Sequence, residues 1–109
     1  MDKSPRLAAI LPLKLMIGSD QNTHFVHTLD ISASGVRVIL PFSLDRGRDV
    51  VIEYKQKRAR AVVAWSKPMR QSATDYATGM HLLDDGQKFW LVDFVPKAQI
   101  LSSYGQRIR

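Results

Sequence analysis

The sequence contains no cysteine among its 109 residues. This absence excludes disulfide scaffolds, thiolate metal sites and cysteine nucleophiles, and it permits a reducing compartment without requiring one. Glycine and proline are sparse, at 6 and 5 residues, so neither disorder nor low complexity is indicated. With 45% hydrophobic and 24% charged residues and no internal repeat, we expect a single globular domain over residues 1–109.

Long hydrophobic runs are also missing. The longest early apolar run, residues 7–13, contains Pro12 and ends at Lys14, far short of the roughly 18 residues that a membrane-spanning helix needs. Although Lys3 and Arg6 precede this run, no small-residue cleavage site of a signal peptide follows it. We therefore expect a soluble, cytoplasmic protein.

Acidic residues are in deficit. The chain has 10 Asp and Glu against 16 Lys and Arg, a formal net charge of +6. Such a balance favours an anionic partner, which includes nucleic acid, a nucleotide, an acidic protein patch and a membrane surface. The charge alone does not choose among these four classes.

Motifs of catalysis are absent as well. The sequence has no GxSxG, no phosphate-binding P-loop and no glycine-rich dinucleotide turn. His24 and His27 have an odd spacing, so they do not share one face of a strand, and no nearby carboxylate completes a metal site with them. We interpret the protein as non-enzymatic, without a cofactor or metal, and its histidines as surface or strand-packing residues.

Short segments separated by turn signals occupy residues 11–83 and predict about six strands. Arg58 and Arg60, for example, alternate with apolar residues, which is typical of a half-buried strand. Because closure removes exposed strand edges, the pattern favours an all-β fold, a closed antiparallel barrel. The predicted strands are residues 11–17, 23–31, 36–40, 50–54, 58–65 and 76–83.

The C-terminal part predicts a helix over residues 85–95, followed by a tail at 96–109. Asp84 and Asp85 are suited to cap this helix, and Gln87 follows Asp84 by three residues, as in a capping box. Apolar side chains surround the helix instead of forming one stripe, so we expect the barrel to wrap it deeply or a second chain to cover the rest. These side chains are Phe89, Trp90, Leu91, Val92, Phe94 and Val95.

The most informative segment is DISASG, residues 30–35. Asp30 and Ser32 point to the same side of a strand, and Gly35 permits a positive φ and a close backbone approach. A carboxylate, a hydroxyl and backbone N–H groups at a barrel rim suit the edge of a purine and its phosphate. The same residues also suit a plain turn, in which Asp30 and Ser32 bond the backbone and Gly35 makes the bend. Local chemistry leaves both interpretations open.

This segment resembles the D/N-x-S-x-x-G motif of the PilZ family, small barrels associated with the bacterial second messenger cyclic di-GMP. The resemblance extends over roughly residues 6–95. ILPLKL is similar to the family's first strand, ARAVVAW and YATGMHLL to its closing hairpin, and the apolar terminal segment to its packed helix. It implies a six-stranded, split antiparallel barrel with a C-terminal helix, preceded by a flexible ligand segment at residues 1–10.

The family's second ligand motif is RxxxR, shortly before the first strand. Arg6 matches its second arginine, but Asp2 occupies the position of the first, with Lys3 beside it. Neither Asp nor Lys reproduces the bidentate contact of an arginine with guanine, and a carboxylate repels a dianionic ligand. Other arginines are available to compensate, among them Arg37, two residues after Gly35.

The resemblance therefore implies a regulatory module that binds cyclic di-GMP weakly and passes its ligand state to a partner. The partner would be an unidentified protein or a second copy docked through the C-terminal helix. The ligand-binding residues are Arg6, Asp30, Ser32 and Gly35, with Arg37 as an additional candidate.

Two alternatives belong to other classes. An adaptor that works by protein contact alone, without a ligand, is favoured by Asp2 and by the strongly apolar terminal helix. A small nucleic-acid-binding barrel, ranked below it, is suggested by the positive charge and by Arg58, Arg60 and Trp65. Binding to nucleic acid weakens steeply as salt rises, which separates that class from the others.

Overall fold

The computed structural model describes residues 6–18 and 22–90 of the chain. All six predicted strands are present, and an additional short strand precedes them. The elements are β1 (Arg6–Ala8), β2 (Pro12–Ile17), β3 (His24–Ser32), β4 (Gly35–Leu40), β5 (Asp49–Tyr54), β6 (Lys57–Pro68), β7 (Tyr76–Leu82) and α1 (Gly86–Trp90).

The strands form one antiparallel sheet in the order β1-β3-β2-β5-β6-β7-β4, and pairing of β3 with β4 closes it into a barrel. β1 pairs with the end of β3 and β2 with its beginning, so β1 and β2 are the two halves of one bent barrel strand. The predicted fold class, a six-stranded antiparallel barrel followed by a C-terminal helix, is confirmed.

Thr28 fixes the bend between β1 and β2. Its buried hydroxyl donates to the carbonyl of Ala9 and accepts the Leu11 N–H at 2.9 Å, while its own N–H donates to the Leu11 carbonyl at 3.0 Å. These bonds satisfy backbone groups between β1 and β2 that have no partner in the strand pairing. The bend brings Arg6, at the start of β1, beside the end of β3, where Asp30 lies.

The N-terminal segment differs from the prediction of a flexible stretch over residues 1–10. Arg6–Ala8 instead pair with β3 as a strand, although all three residues are exposed. Backbone pairing and an ion pair between Arg6 and Asp30 hold this strand, and neither is visible in local hydropathy. Residues 1–5 lie outside the described part of the chain.

The core fills the barrel with side chains from alternate strand positions. In β2, for example, Leu13 and Leu15 are buried, whereas Pro12 before them and Lys14 between them are exposed. Helix α1 adds Phe89 and Trp90 to the same core. The buried hydrophobic residues are Leu13, Leu15, Ile17, Val26, Ile31, Val36, Val38, Leu40, Val50, Ile52, Ala59, Ala61, Val63, Met80, Leu82, Phe89 and Trp90.

Asp85 caps helix α1, because its carboxylate accepts the N–H of Gln87 at 3.0 Å. The predicted capping box from Asp84 to Gln87 is therefore wrong by one residue. Asp84 instead accepts the backbone N–H of Arg60 at 2.8 Å and ties β6 to the turn before the helix. Because Asp84 bonds β6, Asp85 is the aspartate that caps helix α1.

The described part of α1 is covered by its own barrel. Phe89 is 5% exposed and Trp90 is 3% exposed, which fits the prediction of deep wrapping for these two side chains. Residues 91–95 of the predicted helix and the tail at 96–109 lie outside the described residues. Within the described ranges, no helix has the length and apolar character needed to cross a membrane.

Candidate functional site

The centre of the candidate site is the carboxylate of Asp30, whose side chain is 8% exposed. Nη1 of Arg6 lies 2.9 Å from its Oδ1. Nε of Arg37 lies 2.7 Å from its Oδ2, and Nη2 of Arg37 bonds the same oxygen. Two arginines thus converge on one carboxylate; we call Arg6, Asp30 and Arg37 the arginine cluster.

The strand register creates the arginine cluster. Asp30 lies opposite Arg37 in the β3–β4 pair. On the other edge of β3 it lies opposite Ala8, with Arg6 in the diagonal position two residues away. Directly opposite and diagonal neighbours on one sheet face are within reach of long side chains. The strands on both sides of β3 therefore each supply one guanidinium.

The arginine cluster carries one positive charge in excess. The hydrogen bonds from Arg37 to Asp30 raise the pKa of the Arg37 guanidinium, against a smaller opposing effect of burial. The side chains of Arg6 and Arg37 are 35% and 41% exposed, so the excess charge lies at the surface, where an anion has access to it.

Ser32 ends β3 and Gly35 begins β4, and these two residues flank the turn that joins the strands. We call residues 32–35 the motif loop. Ser32 is fully buried, and its hydroxyl donates to the Gly35 carbonyl at 3.4 Å and accepts the Ser34 N–H at 3.3 Å. Ser32 therefore shapes the loop from within, as in the turn interpretation.

Gly35 does not use the positive φ that the sequence permits. It is buried, begins β4 and pairs with His81 in extended backbone. Among the described residues, the glycines with positive φ are Gly18 and Gly47. The bend before β4 is stabilised by the Ser32 hydroxyl and needs no left-handed residue at Gly35.

A cleft of about 590 Å³ borders the arginine cluster, within the roughly 300–1,000 Å³ typical of ligand sites. Arg6 lines the cleft at one side and the indole of Trp65 lies at another. The lining residues are Arg6, Ser34, Ala64, Trp65, Gly79, Met80 and His81. The Arg6 guanidinium and the Trp65 indole together suit an anionic ligand that carries a flat base.

Gly79 makes the position of Trp65 possible. The indole lies directly over Gly79, so a Cβ added there would be 2.4 Å from both Cε2 and Nε1 of the ring. Nζ of Lys67 is 5.5 Å from the ring centroid. The indole is half-buried, with its placement set by the backbone of the neighbouring strand β7.

The sequence indicated three members of this site, Arg6, Asp30 and Arg37, and the structure brings them together. It missed Ser34, Gly79 and His81, which line the cleft through pairing between distant strands. The sequence indicated Trp65 only for the nucleic-acid-binding alternative. The β6–β7 ladder shifts register between Val63 and Trp65, which alternation along the sequence does not show.

Comparison with known proteins identifies a family and solved structures with the same fold. The model of a protein family described as PilZ domain matches residues 2–95. Among solved structures, the Bacillus subtilis inhibitor of motility (MotI/DgrA) superposes with a TM-score of 0.62 at 16% sequence identity, over 82% of this chain and 47% of that chain. The chain spans about half the length of that protein, and the likeness is one of fold. No curated protein matches the sequence.

Proposed function

The chain belongs to the PilZ domain family, and from this membership and the geometry of the site we propose that it is a non-enzymatic, cytoplasmic regulatory module that binds cyclic di-GMP. The observation that carries the proposal is the convergence of Arg6 and Arg37 on Asp30 beside the cleft that Trp65 lines. Cyclic di-GMP combines two phosphate charges with two flat guanines. The arginines of this site are suited to the phosphates, and the indole of Trp65 is suited to a guanine.

Each residue has a separate role in the proposed complex. Arg6 and Arg37 attract the phosphates and donate hydrogen bonds to phosphate or guanine. Asp30 holds both guanidinium groups in place before the ligand arrives, which lowers the entropy lost on binding. Trp65 supplies a face for a guanine, and Ser32 and Gly35 maintain the motif loop.

We propose that the affinity is weak. Asp2 stands where the family has the first arginine of RxxxR, and it lies outside the described residues. A carboxylate there repels the dianionic ligand and donates no hydrogen bond to guanine. The arginine cluster thus carries the charge recognition that two motif arginines share in the family.

The ligand state would be passed to a partner protein or to a second copy of this chain. Self-association through the C-terminal helix depends on apolar residues at 91–95, because Phe89 and Trp90 are already buried by the barrel.

A second candidate is the ligand-free adaptor. Both guanidinium groups already bond Asp30, and Ser32 is fully buried, so the site is internally satisfied without a ligand. The nucleic-acid barrel has less support, because Arg58 bonds Glu53 and lines a different cleft from Trp65. Arg58 and Trp65 therefore do not form one common surface.

Isothermal calorimetry with cyclic di-GMP tests the proposal and separates the three candidates. We expect saturable binding to the purified chain that GMP, with one base and one phosphate, does not reproduce at equal concentration. No heat with cyclic di-GMP supports the adaptor. Binding of a single-stranded oligonucleotide that increases with its length and falls steeply with salt supports the nucleic-acid barrel.

A further inference from the structure

The motif loop is bonded from behind by the segment that runs from β7 into α1. Three consecutive loop carbonyls accept hydrogen bonds from that segment. Trp90 Nε1 donates to the Ser32 carbonyl at 3.1 Å. The N–H of Gly86 donates to Ala33 at 3.0 Å, and the N–H of Leu82 donates to Ser34 at 2.8 Å.

Helix α1 packs directly against the backbone of the motif loop. A Cβ on Gly86 would be 2.2 Å from the carbonyl oxygen of Ala33 and 2.6 Å from its carbon, both backbone atoms. The side chain of Trp90 is buried, and its ring centroid lies 5.5 Å from that of Tyr54. The helix therefore holds the loop through backbone contact and a buried side-chain bond.

A second group of contacts holds α1 on the barrel, and these contacts do not involve the motif loop. Nζ of Lys57, at the start of β6, donates to the Lys88 carbonyl at 3.0 Å. Tyr54, at the end of β5, contacts the rings of both Phe89 and Trp90. The helix is thus a bridge between the motif loop and the β5–β6 hairpin.

We propose that Trp90 and Gly86 are positioning residues for the ligand site, and that binding of cyclic di-GMP at the motif loop is felt by α1. Ser34 lines the cleft on one side of the loop and is held by Leu82 on the other, so one backbone segment is shared by both. If the helix holds the loop in its binding position, the ligand stabilises the helix contacts in return, because such coupling is reciprocal. This inference rests on the proposed function.

Trp90→Phe tests the positioning role, because it removes the indole N–H and keeps an aromatic ring in the core. It removes the N–H that bonds Ser32, so the loop populates other positions and the apparent affinity falls. We expect cyclic di-GMP to bind roughly twofold to tenfold more weakly, the size of one buried hydrogen bond. Ile52→Val is the control, since Ile52 is a fully buried core residue of β5 that pairs with Leu15 and Ala59 and not with the loop. Its affinity should match the unmodified chain.

A nuclear magnetic resonance experiment follows ligand binding in the unmodified protein and uses a variant only to assign the signals. The chain has two tryptophans, so nitrogen-15 spectra contain two indole N–H signals, which Trp65→Phe assigns. At saturation with cyclic di-GMP we expect the Trp90 indole and the Gly86 amide to shift along with Trp65.

Binding that shifts Trp65 and leaves Trp90 and Gly86 unmoved overturns this inference and leaves the proposed function intact. Equal affinity losses in Trp90→Phe and Ile52→Val also overturn it, because they show a general effect of stability. Absence of any binding by the unmodified chain overturns the proposed function and the inference with it.

Discussion

Asp30 is surrounded by more positive charge than it neutralises. It is nearly buried, yet both of its partners reach the surface, so it orders the arginines without consuming their charge. This is the arrangement that a site for a dianion needs, since unpaired arginines on flexible stems lose more entropy when they bind. We propose that this carboxylate at the end of β3 sets where an anion is held.

We predict that position 2 limits the affinity for cyclic di-GMP. Asp2→Arg removes a repulsive charge and restores the bidentate donor of the family motif, four residues before Arg6. A good bidentate contact contributes roughly 1–3 kcal/mol, and ordering the N-terminal segment offsets part of it, so we expect about tenfold tighter binding. Calorimetry with cyclic di-GMP measures the change.

Asp2→Asn is the matched control, since it removes the repulsion and adds no guanidinium. We expect it to bind more tightly than the unmodified chain but less tightly than Asp2→Arg. An unchanged dissociation constant for Asp2→Arg would show that Asp2 does not occupy the first arginine position, or that the barrel no longer uses the site.

Gly79 is required by Trp65. Gly79→Ala places a Cβ 2.4 Å from two indole atoms, so the ring must leave its position over β7. We expect altered tryptophan fluorescence, a melting temperature several degrees lower, and weaker binding of cyclic di-GMP.

Gly47→Ala makes the same chemical change where a Cβ meets no atom within 4 Å. The φ of +88° at Gly47 still makes alanine unfavourable there, so stability also falls. Because Gly47 does not line the cleft, the fluorescence and the affinity should stay constant. If the two variants behave alike in binding, Trp65 has no part in the site.

At the scale of elements, one row of outward side chains crosses four strands. The register aligns Phe25 of β3, Lys14 of β2, Glu53 of β5 and Arg58 of β6. Glu53 is bonded by Arg58 at 3.0 Å and lies 3.5 Å from Lys14. The hydrogen bond from Arg58 is the main reason that the pKa of Glu53 lies below its ordinary value of 4.5, with Lys14 adding to the effect.

The lowered pKa of Glu53 predicts a pH dependence of stability. A carboxylate whose pKa is lower in the folded state contributes stability above its ordinary pKa and loses it as the pH falls through the lowered pKa. Glu53→Gln should therefore melt slightly below the unmodified protein at pH 7, and the difference should vanish towards pH 3. Thermal melts across this range measure it; a difference that grows in acid contradicts the assignment.

Alternation along the chain was enough to predict the strands, because each has one face in the core. It was insufficient for β1, whose three residues are all exposed and are held by β3. It also failed at two register shifts, between Thr28 and Asp30 and between Val63 and Trp65, where an irregularity re-aims the following side chains.

The candidate site divides in the same way. Arg6 and Asp30 belong to motifs that are recognisable in the sequence, and Arg37 lies two residues after Gly35 of the second motif. The sequence left two roles open for Ser32, ligand binding at a barrel rim or bonding of the turn, because local chemistry does not show that the loop encloses its hydroxyl. Most of the other lining residues belong to β6 and β7, and only the folded ladder shows that these strands share a cleft with Arg6.

At the scale of the whole molecule, the formal charge of +6 attracts any anion to the barrel. A fall in affinity after the loss of one arginine therefore proves little unless the net charge is matched. Arg58 provides the match, since it is exposed, bonds Glu53 and does not line the cleft beside Arg6.

The most direct measurement compares Arg6→Ala and Arg58→Ala by calorimetry with cyclic di-GMP at a fixed salt concentration. Both variants lose one positive charge, but only the first loses a member of the arginine cluster. Hydrogen bonds to charged groups contribute roughly 1.5–3 kcal/mol, so Arg6→Ala should bind at least about tenfold more weakly, while Arg58→Ala stays within about twofold. Equal losses in the two variants would show that net charge alone attracts the ligand and would contradict a site built on Arg6, Asp30 and Arg37.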